Sequence, residues 1–459
     1  MKRALITVLS LLFVFGITAS VFAADAKDET KVTLGGELRF RGESQVNVGD
    51  FNDDRSDKKN AYDGRVRLSI QAETSKNTTG LVQLESNNGD DTSDTYVWGG
   101  GTSKGTYTEG NSKRGDMRIL QAWIQTKNLV GTPLGLKIGH MPLKLGNGLF
   151  LDHSQYGDDA IMLFMDPSKE LNIALVSAKA TEGTNTNLNA AGGANHNEDD
   201  TNVYALLFSL KGGGFNLSGD ATYLDDQNAV DKGLHFWNYG VRTNSKIGPI
   251  GFKADIEYQS GKAKNDVTAT IGETKYKGYA LLAGINFDMN PITLDAEMVV
   301  GSGDSNSADN KSKQFVTSLS STQYYTYVYD YRARTAGTGG PAAAASALGA
   351  PSTGIANTTY YKVGASAKPT KDLSASLNLY WLKATKAVST GNNYTKRDIG
   401  KEIDAKIVYQ IEKNLVYFVE GGYLMAGDLY KNITENDTSG NPKSPDNAYA
   451  VRHGVTLTF

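Results

Sequence analysis

The sequence predicts an all-β fold, a transmembrane antiparallel β-barrel of about 18 strands with short periplasmic turns and long extracellular loops. One supporting observation is the alternation of residue types from Asp446 to Phe459. Small or polar residues alternate there with an apolar row that contains Tyr449, Val451, Val455, Leu457 and Phe459. An alternation that ends on an aromatic residue is typical of the closing strand of such a barrel. An edge strand of a soluble sandwich is the alternative interpretation.

The same period-two alternation recurs along the chain, in segments close to the roughly ten residues that a tilted spanning strand requires. Eighteen strands are predicted, near residues 32–43, 63–74, 79–86, 116–127, 133–141, 158–165, 170–180, 201–211, 214–225, 235–247, 250–261, 275–287, 291–301, 358–368, 371–386, 398–411, 414–427 and 447–459.

The connections between these segments alternate in length. Eight are short and rich in turn residues, such as Gly212-Gly213 and Gly248-Pro249, and they alternate with longer polar stretches such as the long loop 302–357. Bacterial barrels place short turns in the periplasm and long loops outside the cell. Both chain ends are therefore expected on the periplasmic side, which requires an even number of strands.

The N-terminal segment 1–23 is predicted to be a secretory signal peptide, and 24–459 to be the barrel. Lys2 and Arg3 precede an almost wholly apolar run that leads to Val21-Phe22-Ala23, where small residues permit cleavage. An uncleaved anchor helix is the alternative, because the run approaches membrane-spanning length. No later apolar run is long enough for a spanning helix.

Composition excludes several classes of function. The formal net charge is −3 and no broad basic patch is present, which argues against nucleic acid as a partner. The chain has no cysteine, so disulfides, thiolate metal sites and covalent haem attachment are excluded. None of the 5 histidines lies in a recognisable nucleophile arrangement with serine and aspartate. We therefore expect no enzyme, no catalytic residues, no cofactor and no metal site.

The charged rows of the strands are expected to line the pore, because one face of each strand meets lipid and the other meets water. The residues predicted to line it are Arg39, Arg41, Arg65, Arg67, Lys253, Asp255, Glu257, Asp295, Glu297, Glu402, Asp404 and Lys406. The four arginines cluster on the first two strands and would filter polar solutes if acids faced them across the pore. A mutually neutralised, purely structural lumen is the alternative.

The sequence also predicts the positions of two loop segments and of the tyrosines. Loop 142–157 contains Gly146-Asn147-Gly148, which would allow a tight inward fold that narrows the pore, although a plain surface loop is the alternative. The alanine-rich stretch Gly337 to Pro351 is predicted to be a disordered loop or a plug segment. Tyrosines near strand ends are expected to supply interfacial girdles; examples are Tyr258, Tyr360, Tyr409 and Tyr423.

Two blocks of the sequence resemble the alginate-export porin family. They are Leu120 to Ile161, which includes "IGHMPLKLGNGLFLDHSQYGDDAI", and Ile399 to Tyr430. The resemblance implies a monomeric eighteen-stranded outer-membrane channel. His140 stands where the family often has arginine, and acids match bases in the inferred lumen. A general porin member is therefore favoured over an exporter of a polyanion.

The predicted function is that of an outer-membrane porin, with a water-filled channel for passive diffusion of small hydrophilic solutes or ions. The predicted location is the outer membrane of a Gram-negative cell. Expected partners are outer-membrane lipid, the solutes, and the barrel assembly machinery through the C-terminal Phe459. The alternatives are a selective exporter of an anionic polysaccharide, and a barrel scaffold for a surface or electron-transfer complex.

Overall fold

The computed structural model of the chain describes residues 30–54, 58–86, 96–98, 117–182, 200–227, 234–264, 273–306, 309–317, 325–333, 354–389, 395–431 and 444–459. The predicted signal peptide 1–23 and the stretch Gly337 to Pro351 lie outside these residues.

The described residues form strands with only single turns of helix. The strands are β1 (Lys31–Val46), β2 (Lys59–Ser75), β3 (Thr78–Ser86), β4 (Tyr96–Val97), β5 (Met117–Thr126), β6 (Leu134–Met141), β7 (Asp158–Met165), β8 (Leu171–Thr181), β9 (Thr201–Gly212), β10 (Phe215–Asp226), β11 (Leu234–Ile247), β12 (Ile250–Lys264), β13 (Glu273–Tyr276), β14 (Tyr279–Asp288), β15 (Ile292–Gly301), β16 (Lys311–Ser312), β17 (Thr358–Ala367), β18 (Leu373–Ser389), β19 (Thr395–Glu412), β20 (Leu415–Ala426) and β21 (Ala448–Thr458). The helical turns are Leu129–Gly131, Tyr329–Ala333 and Asp428–Tyr430. Within this part of the chain, no helix is long and apolar enough to cross a membrane.

The strands close into one antiparallel barrel. Eighteen long strands each pair with the next long strand along the chain, and β4, β13 and β16 are short additions within loops. The barrel closes where β1 pairs with β21, from Glu37 opposite Thr458 to Val46 opposite Tyr449. All eighteen predicted strands are present, and the predicted closing role of the last strand is confirmed.

The two faces of the strands differ as the alternation predicts. On β12, Ile256 and Tyr258 have 56% and 51% of their surface exposed. Asp255 and Glu257, which alternate with them along the strand, are each fully buried. The exposed apolar row faces the lipid, because a charged side chain on that face would be destabilising near the middle of the bilayer. The charged residues Asp255 and Glu257 of β12 therefore lie on the inner face.

The tyrosine examples divide between the two faces. Tyr258, Tyr409 and Tyr423 are exposed on the outer face, as members of a girdle would be. Tyr360 is an ordinary strand residue of the inner face, because this side chain is buried and its hydroxyl donates a hydrogen bond to Glu297 at 2.6 Å. Its partner lies in the inward row of the neighbouring strand β15, so the ring points into the barrel.

In one sector, the barrel wall is apolar on its inner face as well as on its outer face. The alternation of residue types did not predict this apolar inner surface. The inward residues of β7, β8 and β9 are small or aliphatic and buried; they include Ala160, Ala174, Val176, Ala178, Val203 and Ala205. Apolar side chains of loop 142–157 pack against this sector in one hydrophobic cluster. An apolar inner surface is stable only when it is covered, so the wall and the loop require each other.

Candidate functional site: the barrel lumen

A cavity of about 980 Å³ lies inside the barrel, against the inner faces of β1, β2 and β18 to β21. We call it the arginine cavity. Its charged lining comprises eight bases and four acids, namely Arg39, Arg41, Lys59, Arg65, Arg67, Arg332, Lys406, Arg452, Glu43, Asp63, Asp404 and Glu420. The lining therefore carries an excess of positive charge.

The predicted arginine cluster lies on one side of this cavity, where acids of the same wall hold it. Arg41 binds Asp63 in a bidentate pair, with Nε to Oδ1 at 2.9 Å and Nη2 to Oδ2 at 3.0 Å. Arg65 pairs with Glu37 at 2.6 Å, and Arg67 pairs with the buried Glu85. The partners lie on β1, β2 and β3, so these acids do not face the arginines across the lumen.

A second charged cluster surrounds Arg242 on β11. Its Nη2 donates hydrogen bonds to Asp220 at 2.6 Å and to Glu257 at 2.5 Å, and its Nε lies 3.4 Å from Asp255. Asn147 of loop 142–157 donates to Asp255 from its backbone N–H and from its side chain, at 3.2 and 2.9 Å. Asp255 is thus buried between Arg242 and loop 142–157, and Glu257 is buried beside Arg242.

Three further predicted residues lie on the opposite side of the lumen. Lys253 forms an ion pair with Glu297, and Lys362 forms one with Asp295 at 2.6 Å. Lys253 and Glu297 line a cavity of about 350 Å³ beneath Lys144 of the loop. They also line, together with Asp295, a cavity of about 450 Å³ next to it.

Loop 142–157 folds into the barrel. Leu149, Phe150 and Leu151 are buried, and the ring of Phe150 lies 6.0 Å from that of Phe236 on β11. A side chain at Gly146, where φ is +51°, would collide with Arg242 at 2.1 Å, so only glycine permits this approach. Of the two interpretations of this loop, the structure supports the one in which it narrows the lumen.

The inward fold of the loop is held by Lys144 and Asp152. Lys144 Nζ lies 2.7 Å from Asp152 Oδ2, and the Ser154 hydroxyl donates to Asp152 Oδ1 at 2.6 Å. Burial alone would raise the pKa of Asp152, but the lysine charge and the serine hydrogen bonds lower it below its ordinary value. The carboxylate therefore stays ionised and keeps the two sides of the loop together.

A second inner segment, residues 325–333 of the long loop 302–357, also lies in the lumen. We call it the inner strap. Glu402 and Asp404 accept hydrogen bonds from its backbone N–H groups, at Val328 and at Tyr327 respectively. At its other end, Arg332 pairs with Glu43 on β1 at 2.5 Å. Glu402 therefore holds the strap and is buried instead of facing open water.

Comparisons with known proteins were made at the levels of sequence and structure. No protein-family model matches the chain, and no curated protein matches it. Solved structures do match: OccK9 (OpdG) of Pseudomonas aeruginosa has a TM-score of 0.56 at 13% identity, covering 94% of this chain and 98% of that one. OccAB1 of Acinetobacter baumannii has a TM-score of 0.55 at 10% identity, with 95% and 99% covered. A BenF-like porin from Pseudomonas fluorescens Pf-5 has a TM-score of 0.53 at 9% identity, with 94% and 98% covered.

The chain has the fold of an outer-membrane porin. Because its outer row is apolar all around a closed barrel, the protein lies in the outer membrane. The matched structures do not support the resemblance to the alginate-export family. They support only the more general porin type.

The inner strap is the part of this porin fold that the sequence analysis missed. One signal was present, since Tyr325, Tyr327, Tyr329 and Tyr331 occupy every second position of this part of the loop. The guanidinium of Arg332 lies 3.6 Å from the centre of the Tyr331 ring, and Arg452 Nη1 donates to the Tyr331 hydroxyl at 3.4 Å. Burial alone would raise the pKa of Tyr331, but these two positive charges outweigh it and lower the pKa. The Tyr331 ring therefore lies beside two positive charges.

Proposed function

We propose that the protein is an outer-membrane porin through which small hydrophilic solutes or ions diffuse passively. The observation that carries the proposal is the arginine cavity, a charged space of about 980 Å³ inside a closed barrel. A lumen lined by ionised side chains attracts water, and charged rings or patches in a pore select among the solutes that enter it. We include in the proposal that the protein is a channel without enzymatic activity.

Within this proposal, the predicted pore-lining residues fall into three groups. Arg39, Arg41, Arg65, Arg67, Asp404 and Lys406 would meet passing solutes in the arginine cavity. Lys253, Asp295 and Glu297 would line the smaller spaces opposite. Asp255 and Glu402 would act indirectly, because each holds an inward-folded loop segment. Glu257 would also act indirectly, because it holds Asn238 and Arg242 of the wall.

Conductance in planar bilayers tests the channel directly. We expect the purified protein to give stepwise, ohmic conductance, with a weak preference for anions because bases exceed acids in the lining of the arginine cavity. The Arg39→Gln variant should lower that preference, measured as the reversal potential in a salt gradient. Lys401→Gln, which also replaces one positive charge by glutamine but does so on the outer face, is the matched control. A correctly folded preparation that never conducts would contradict the proposal.

Liposome swelling distinguishes the two alternative functions. Neutral sugars and amino acids should enter vesicles that contain the protein, whereas uronate oligomers should enter slowly or not at all. Preferential passage of the oligomers would favour export of an anionic polysaccharide. Co-purification of a haem protein with a non-conducting barrel would favour the scaffold.

We also propose that residues 1–23 are removed and that Phe459 is presented to the barrel assembly machinery. Phe459 pairs with Gly36 through backbone hydrogen bonds, Gly36 N to Phe459 O at 2.8 Å and Phe459 N to Gly36 O at 3.1 Å. Deletion of Phe459 should reduce the amount of folded barrel in the outer membrane, while Phe459→Tyr should retain it. Mass spectrometry of the membrane-inserted protein tests the cleavage after Ala23.

A further inference from the structure

The inner strap is attached to the barrel wall by its backbone. Glu402 accepts with both carboxylate oxygens, Oε1 from Val328 N–H at 2.5 Å and Oε2 from Tyr329 N–H at 2.9 Å. Asp404 Oδ2 accepts from Tyr327 N–H at 3.1 Å. Three consecutive N–H groups thus point at two carboxylates on the same face of β19, an arrangement that binds oxygen acceptors through aligned backbone dipoles.

The wall beside these carboxylates is shaped for the strap. Val328 is fully buried, and a Cβ atom on Gly422 of β20 would lie 2.9 Å from its Cγ2 and 2.4 Å from Asp404 Oδ1. Any side chain at position 422 would therefore push the strap away from the wall. The close approach depends on a glycine in ordinary strand conformation.

The strap continues from this attachment across the inner faces of β20, β21 and β1. Arg332 reaches Glu43 on β1, and the guanidinium of Arg452 on β21 lies 5.3 Å from the centre of the Tyr327 ring. Tyr325 stacks on Tyr360 of β17, with ring centres 4.8 Å apart. Several strap side chains line the arginine cavity; they are Tyr325, Thr326, Tyr327, Tyr331 and Arg332.

We propose that Glu402 and Asp404 determine the solute-size limit of the channel by fixing the inner strap against the wall. Because the strap forms one side of the arginine cavity, its position sets the width of the passage. In this role the two carboxylates are positioning residues, because the effect on solute size acts through the strap, although Asp404 also lines the arginine cavity. This inference rests on the proposed channel function.

The test uses two variants that release the strap in different ways. In the double variant Glu402→Gln and Asp404→Asn, the glutamine has one accepting oxygen for two backbone N–H groups, so its NH₂ group meets one of them. The asparagine can still accept from Tyr327 N–H but loses the charge that strengthens this hydrogen bond, so the attachment weakens at both positions. Gly422→Val leaves both carboxylates intact and displaces the strap by volume. Asp372→Asn, an acid-to-amide change in a periplasmic turn, is the matched control.

Both release variants should raise the unitary conductance by about twofold, since the strap would no longer narrow the passage. Both should also admit larger neutral sugars in liposome swelling, and the control should behave like the parent protein. Folding is checked by the heat-dependent shift of the barrel on gels. The inference is overturned if both variants fold and retain the parent conductance and size limit.

Trypsin sensitivity at Arg332 separates this inference from the proposed function. Arg332 is buried in the strap, so release should speed cleavage there in both variants, whether or not the barrel conducts. Absence of conductance in every protein, together with faster cleavage in the variants, would reject the channel but retain the attachment. Unchanged cleavage would reject the attachment itself.

Discussion

Arg242 illustrates how single charges hold the lumen in shape. Its guanidinium is buried among Asp220, Asp255 and Glu257, and the loop residue Asn147 shares one of these acids. The sequence places Asp255 and Glu257 in the same row of their strand, because strand alternation fixes the face that each residue shares. It did not identify Arg242 as their partner, since pairing depends on the register between strands.

Arg242→Gln should lower the free energy of unfolding by about 3 kcal/mol, because buried carboxylates would lose their compensating charge. Urea unfolding in lipid vesicles, followed by tryptophan fluorescence, measures the loss. Lys246→Gln removes a lysine from an exposed pair with Asp288 and should cost at most about 1 kcal/mol. Equal losses in the two variants would contradict the structural role of Arg242.

At the scale of elements, loop 142–157 behaves as part of the barrel core. It covers the apolar inner sector of β7 to β9 and reaches the wall at Arg242 and Asp255. The sequence did not decide whether this loop folds into the lumen or lies on the surface, because glycines permit an inward turn without requiring it. The apolar runs in 158–165 and 170–180 carried the missing information, since both of their faces are apolar.

Phe150→Ala should destabilise the protein by about 3 kcal/mol, because a fully buried ring against Phe236 would leave a cavity. The loop should also become sensitive to proteases. Phe150→Leu refills most of the volume and should lose less than half as much stability. The prediction fails if the alanine variant unfolds at the same urea concentration as the parent.

At the scale of the whole molecule, the barrel separates lipid from water across a single layer of strands. Neighbouring residues of one strand therefore have opposite environments. Leu377 on β18 is half exposed on the outer face, and the adjacent Asn378 lines the arginine cavity.

The same substitution at these two neighbours should have very different costs. Leu377→Arg places a charge in hydrocarbon and should destabilise the barrel by about 2–4 kcal/mol. Asn378→Arg places the charge in a hydrated lumen beside Asp404 and should cost much less. Unfolding in vesicles measures both, and similar losses would contradict the assignment of the two faces.

The sequence by itself determined the alternating faces of the strands and the closed antiparallel barrel, and it indicated about eighteen strands. Alternation and turn residues are local signals, and a period of two fixes which side chains point outward. Only the tertiary structure decided which loops enter the lumen and which charges pair there. Contacts such as Arg332 with Glu43 and Asn147 with Asp255 join residues far apart in the chain, and no local pattern encodes which of the long loops will reach the wall.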